Sequence, residues 1–196
     1  MKLILASNNE DKLREIREIL ADTGIEIVSQ REAGCDFEAE ETGTTYEENA
    51  RIKALAAMRA TGLPAAADDS GIEIEAYGWE PGIYSHRFLH GRTYPEACRD
   101  IVAELRGRSD RAARYCCAVV CVFPDGREIK AFGTTEGEIA ETLSDGTTGF
   151  GFDPIFFSTE LGRPMAELTE EEKNSISHRG RAFRKIAEEL KNYVNQ

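Results

Sequence analysis

The sequence predicts an α/β fold in which alternating strands and helices give way to a strand meander, and three observations carry that reading. Short apolar runs, "KLILA" (2–6) and "IEIVSQ" (25–30), alternate with longer runs of helical period, "LREIREIL" (13–20) and "TTYEENARIKALAAMRATG" (44–62). The helical runs carry start and stop signals. Two apolar stretches, "RYCCAVVCVF" (114–123) and "REIKAFGTT" (127–135), flank "PDG", which is a hairpin signal.

Taken in order, "KLILA" is a strand, and "SNNEDK" (7–12) opens the first helix. Ser7 with Glu10 three residues on has the pattern of a capping box, and Leu13, Ile16, Ile19 and Leu20 form the buried face. After "IEIVSQ" comes a polar loop to residue 43. The second helix opens at Thr44-x-x-Glu47 or Thr45-x-x-Glu48 and closes at Gly62. Residues 64–67 are a short strand of small residues ending in "DDSG", and Ile72, Ile74 and Ala76 alternate with acids as a half-wet strand. Thr93, Pro95 and Glu96 start a helix to about residue 106, and "EGEIAE" (136–141) is a further strand. Thr169-x-x-Glu172 caps a short helix, and a last helix follows "SHRG" with Phe183, Ile186, Ala187, Leu190 and Val194 on one stripe.

With 196 residues and 41% hydrophobic content, the chain suits a single domain over 1–196, or two tightly joined lobes. The five cysteines lack a C-x-x-C pair, which points to buried, reduced thiols in a cytoplasmic protein rather than a disulfide frame or a zinc site. Along a strand, Cys117 and Cys121 share one face and Cys116 takes the other. No leader-like segment or membrane-length apolar run is present. Lys plus Arg number 24 against 36 Asp plus Glu, a net charge of −12, which argues against a nucleic-acid polymer as partner. A small anion then needs a local cationic island, a helix N-terminus or a divalent metal on carboxylates.

Five segments bear on that need. In "SNNEDK" the helix N-terminus presents free N–H groups, Asn8 and Asn9 add amide donors and Lys12 a cation, so the segment is either a plain cap or a phosphate site. In "ADDSG", Asp68 and Asp69 point to opposite sides of a strand end; an Asx turn closed by Gly71 is the alternative to a metal or catalytic role. Glu48 lies within about 60° of Ile52 and Leu55 on its helix; it is either a rim residue or a partner of the Asp pair. Lys53 lies on another side, by default in solvent. "GFGFDPIFF" (149–157) offers Phe150 and Phe152 to stack a flat base and Asp153 to accept from base or sugar, against a buried aromatic turn. Lys173, His178 and Arg179 in "EEKNSISHR" gather cations near a helix start, where the dipole disfavours them. No P-loop, nucleophile elbow or convincing zinc set competes.

In this order, "SNNEDK", "TGTTYEENARIKA", "ADDSGIEIEA", "PGIYSHRF", "GFGFDPIF" and "EEKNSISHR" closely resemble the inosine/xanthosine triphosphate pyrophosphatase family, from residue 7 to 179. The resemblance implies an elongated mixed β-sheet flanked by helices, two lobes with a nucleotide cleft between them, and a homodimer. It implies Mg²⁺-dependent hydrolysis of ITP, dITP and XTP to the monophosphate and pyrophosphate. By the same resemblance Ser7, Asn8, Asn9, Glu10, Asp11 and Lys12 line the triphosphate, Glu48 and Asp69 bind Mg²⁺, and Asp69 is the general base. Ser70 touches substrate, Lys53 approaches the phosphates, and Phe150, Gly151, Phe152 and Asp153 hold base and sugar. Lys173, His178 and Arg179 contact base and phosphates, with Arg179 and then His178 as donors to the 6-keto oxygen. The sequence departs from the family at His86, at Met165 and in "SDGTTG", which leaves substrate preference and dimer contacts open. Two rival readings are a pyrimidine nucleotide hydrolase of related fold and a nucleotide sensor without turnover; retention of Glu48 and Asp69 argues against the sensor.

Overall fold

The structure is a computed structural model that describes residues 1–35 and 38–194, with side chains to residue 191. The end of the expected loop near residues 36–37 and the side chain of Val194 on the last stripe lie outside the described residues. The chain divides into two compact units, one of residues 1–69, 117–133 and 179–196, the other of residues 70–116 and 134–178.

The first unit begins with β1 (Lys2–Leu5), α1 (Glu10–Ile19), β2 (Glu26–Ser29) and α2 (Tyr46–Thr61), and enters β3 (Ala65–Ile74). Strand β1 pairs in parallel with β2 on one side and with β3 on the other. With the order β2-β1-β3, right-handed crossovers place α1 and α2 on opposite faces of the sheet. The side chains sort accordingly. Leu3 and Leu5 pack with Leu13 and Ile16 of α1 and with Phe183 and Ile186, whereas Ile4 packs with Ala50, Ala54 and Ala57 of α2. Phe183, Ile186, Ala187 and Leu190 are the expected stripe of α5 (His178–Val194), and all four are buried.

The second unit is built around Ile72, Ile74, Ala97, Ile101, Leu105, Tyr115, Ile155 and Phe156. Its helices are α3 (Tyr94–Glu104) and α4 (Glu170–Ile176), and both carry the expected capping boxes, Thr93 with Glu96 and Thr169 with Glu172. Strands β5 (Ala112–Val122) and β6 (Glu128–Ile139) carry residues of both units, as does β3. With β4 (Glu80–Pro81), β7 (Phe156–Ser158) and β8 (Arg163–Pro164), the described strands form one eight-stranded mixed sheet. An α/β fold with a mixed sheet was the expectation, and it is what forms.

Four local expectations are corrected. The cap of α1 is Asn9, whose Oδ1 accepts from the Lys12 N–H at 3.1 Å, rather than a Ser7–Glu10 box. Ser7 Oγ accepts from the Asn9 N–H at 3.2 Å, so it sits two positions too early to cap; asparagine caps as well as serine does. "DDSG" closes no turn: β3 runs straight through it, so the two strands expected over 64–76 are one. Gly71 serves close approach instead, because a Cβ there would lie 2.0 Å from the Gly82 carbonyl oxygen. "EGEIAE" is the end of β6, not a strand of its own, and α5 starts at His178 rather than after "SHRG".

Candidate active site

Strand order reverses at β1. Chain leaving β1 turns into α1 on one face, while the neighbouring parallel strand β3 is reached through α2 on the other; in open α/β sheets such a switch point is where ligands meet the carboxyl ends of the strands. Here those ends carry "SNNEDK" after β1 and Asp68–Asp69 within β3.

The two aspartates are sorted by the pleat. Asp68 follows Ala66 onto the face of α1 and α5, and Asp69 follows Ala65 and Ala67 onto the face of α2. Asp68 Oδ2 accepts from Lys12 Nζ at 2.9 Å, with the Arg179 Nε and Nη2 at 3.5 Å. Arg179 in turn places Nη1 2.5 Å from Oε2 of Glu15, an acid of α1 that is fully buried. Lys12, Asp68, Arg179 and Glu15 thus form a run of alternating charge. Burial opposes ionisation of Asp68, but Lys12, Arg179 and Lys53 outweigh it and hold its carboxyl well below the usual range.

Asp69 is treated differently. Its Oδ2 accepts from Asn49 Nδ2 at 3.0 Å, and Lys53 Nζ stands 3.9 Å from Oδ1. Burial is the largest influence and leaves its pKa raised, although Lys53 and Asn49 pull the other way. Lys53 donates to Oε1 of Glu41 at 2.6 Å. It is therefore not the solvated lysine that its helix position predicts. Lys53 lies one turn after Asn49, and that face of α2, lined by Ala50, Ala54 and Ala57, is the one against the sheet. The opposite outcome holds for Glu48. It is exposed, and its carboxylate accepts from the N–H and Oγ1 of Thr44 at 2.7 and 2.9 Å, those contacts holding its pKa low. The helix cap itself is Thr45, whose Oγ1 accepts from the Glu48 N–H.

Of the expected triphosphate segment, Asn8, Asn9 and Glu10 are exposed and Lys12 is partly buried. Glu10 faces Arg31 at 3.6 Å and Asp11 pairs with Arg14 at 3.0 Å, so what these two residues offer a phosphate is their backbone N–H groups and not their carboxylates.

The second unit gathers the other group. Asp153 Oδ2 accepts from Lys173 Nζ and from the Phe150 N–H, both at 2.8 Å. Lys173 Nζ also lies 5.1 Å from the centroid of the Phe150 ring. Gly149 makes this possible, since a Cβ there would fall 2.1 Å from Asp153 Oδ2 and 2.7 Å from Lys173 Nζ. His178 stacks on Tyr115 at 4.7 Å, with the planes 13° apart. Phe152, expected as a stacking platform, is a core residue instead, edge-on to Tyr94 at 5.1 Å; Phe150 is the half-exposed ring of the pair. Ser70 is half-buried, on β3 next to Asp69.

Sequence reasoning missed Glu15, Glu41, Asn49 and Tyr115. Glu15 had a signal: it stands three residues after Lys12, beside Ile16 on a face otherwise apolar. Asn49 and Lys53, four apart, would have marked the inward face of α2 had the alanines been read as its buried stripe.

A Mg²⁺ ion can be tested against the donor set. Among the described residues no group of three or more His, Cys, Asp or Glu side chains is able to hold a metal, so no closed cage exists. Mg²⁺ does not require one, because it keeps waters and shares one or two carboxylates with substrate phosphates. Asp69 and Glu48 are carboxylates of that kind, and their chemistry fits.

A switch point that sets a lysine-bearing helix N-terminus beside a buried acid pair defines an α/β protein of the class that handles phosphorylated ligands. Residues 3–189 match the Ham1 family, and the chain belongs to it. A relative from Treponema denticola, named dITP/XTP pyrophosphatase, is 43% identical over 195 residues, covering 97% of this chain and 99% of its own. One from Pectobacterium atrosepticum with the same name is 44% identical over 196 residues, covering 97% and 98%. The structure of the Staphylococcus aureus Ham1 protein superposes with a TM-score of 0.85 at 36% identity, covering 98% of this chain and all of that one. A HAM1 protein from Coxiella burnetii gives 0.86 at 39% identity, covering 98% and 99%.

Proposed function

We propose that the chain hydrolyses noncanonical purine nucleoside triphosphates, ITP, dITP and XTP, to the monophosphate and pyrophosphate, with Mg²⁺ as cofactor. One observation carries the reading: adjacent aspartates set in opposite surroundings, Asp68 against Lys12 and Arg179 and Asp69 against Asn49 and Lys53, with burial raising Asp69 while the cations lower Asp68. Such a divergence marks which carboxylate balances charge and which works as base. The names of the relatives supply the substrate class.

In this account water attacks the α-phosphorus, pyrophosphate leaves with the electrons of the bridging bond, and Asp69 takes the proton from the water. The N–H groups at the start of α1, with Ser7, Asn8, Asn9 and Lys12, bind the triphosphate, and Lys53 adds a second cation. Lys12 exchanges its contact with Asp68 for phosphate, and Arg179 keeps Asp68 balanced as it does so. Glu48 and Asp69 would hold a Mg²⁺ ion, which would supply charge neutralisation on the phosphates. Ser70 touches the substrate. Phe150 stacks the base, Gly151 and Phe152 shape its seat, and Asp153 accepts from base or sugar. Lys173, His178 and Arg179 donate to base and phosphates, and a 6-amino group would leave the 6-keto donors unpaired.

The protein works in the cytoplasm as a homodimer. Its five cysteines are all free thiols, which suits a reducing compartment, and among the described residues no helix is long and apolar enough to cross a membrane. The direct test incubates dITP or XTP with the protein and Mg²⁺ and identifies the products. Monophosphate plus pyrophosphate, abolished by chelator, is expected; diphosphate plus orthophosphate would overturn the reaction type.

A further inference from the structure

Tyr115 is unused by the mechanism above, yet it touches two of its assigned groups. It lies on β5 with 7% of its surface exposed. Its hydroxyl stands 3.3 Å from Asp153 Oδ1, the oxygen opposite the one that accepts from Lys173 and the Phe150 N–H. The same ring stacks on the His178 imidazole at 4.7 Å and leans on Phe156 at 4.5 Å.

We propose that Tyr115 is the positioning residue for base recognition: through its hydroxyl it sets the Asp153 carboxylate and through its ring the His178 imidazole, and so controls discrimination between 6-keto and 6-amino purines. The inference rests on the assignment of Asp153 and His178 to the base.

A carboxylate with donors on one oxygen only is free to pivot about the bond to its Cβ, and a second donor on the other oxygen removes that freedom. One rigid, buried side chain thereby ties an acceptor from the 149–157 segment to an imidazole at the start of α5. The contact at 3.3 Å is longer than a well-formed O–H···O bond. Burial, then the Asp153 charge, raise the phenol well above its ordinary value, which favours the protonated, donating form. A purely structural aromatic would need the ring and not the hydroxyl.

The test compares Tyr115→Phe, which keeps the stack, with Tyr115→Leu, which loses both contacts, using ITP and ATP in steady-state kinetics. On the scale of one hydrogen bond to a charged group, Tyr115→Phe is expected to raise KM for ITP about fivefold or more. Its kcat should change less than twofold and its ATP kinetics not at all, so that the ITP preference falls by the same factor. Tyr115→Leu should lower the preference further. Thermal melting accompanies both; should Tyr115→Leu fail to fold, the isosteric Tyr115→Phe still decides. An unchanged ITP to ATP ratio in Tyr115→Phe, or equal losses for both nucleotides, overturns the inference and leaves the base site standing. A wild-type protein indifferent to the 6-substituent overturns the base site, and the inference with it.

Discussion

Asp68 and Asp69 are neighbours in sequence and opposites in surroundings, and the pleat of β3 is the cause. Their identity as an acid pair on opposite sides was legible from "ADDSG". Their partners were not: Lys12 is 56 positions away from Asp68 and Arg179 is 111. Two predictions belong here. Lys12→Ala should raise KM for the triphosphate about tenfold or more while the protein stays folded, since Arg179 still balances Asp68; a large loss of stability with unchanged kinetics would contradict this. Glu15→Ala takes from the buried Arg179 a carboxylate that it pairs with, and breaking a buried pair in this way costs about 3 kcal/mol or more. Urea unfolding checks it, and a change below about 1 kcal/mol would show that the charge run is not structural. The misplacement of Arg179 near a helix N-terminus is explained at this scale as well, because the two acids it meets outweigh the helix dipole, worth under about 1 kcal/mol.

Helices were easier to read than strands. Thr93 with Glu96 and Thr169 with Glu172 announce their helices within three residues, so local chemistry sufficed. Strand β3 is the contrary case: Asp and Gly are poor strand formers, and only contacts distant in sequence keep "DDSG" extended. Gly71 should therefore tolerate no side chain. Gly71→Ala drives a Cβ against the backbone of Gly82, and a loss of about 2 kcal/mol or more is expected by thermal or urea unfolding. On α2 the large apolar residues misled, since the alanines form the face that approaches the sheet. Strand β5 makes a chemical prediction. Burial pushes the Cys116 and Cys121 thiols up to about 12, and Cys98 on α3 likewise; Cys117 is raised too, while Cys35 is only partly buried. A thiol reagent at pH 8 should label one cysteine fast and four only on unfolding. Fast labelling of two or more in the folded protein would contradict the packing of β5.

For the whole molecule, the eight-stranded mixed sheet and the reversal of strand order at β1 explain why phosphate-type and acid residues from the N-terminal third converge. Composition had already bounded what they serve. A chain with net charge −12 should show no binding to duplex DNA at physiological salt, measured by fluorescence anisotropy. The order of motifs made the family legible. Which of their residues face one another was not, because that depends on crossovers rather than on spacing. The measurement that tests the central claim most directly is pyrophosphate release from ITP, XTP, ATP, GTP and dTTP with Mg²⁺, for wild type and Asp69→Asn side by side. The account predicts release from ITP and XTP, little from the other three, and none in the variant. Equal turnover of all five, or full activity in Asp69→Asn, would contradict it.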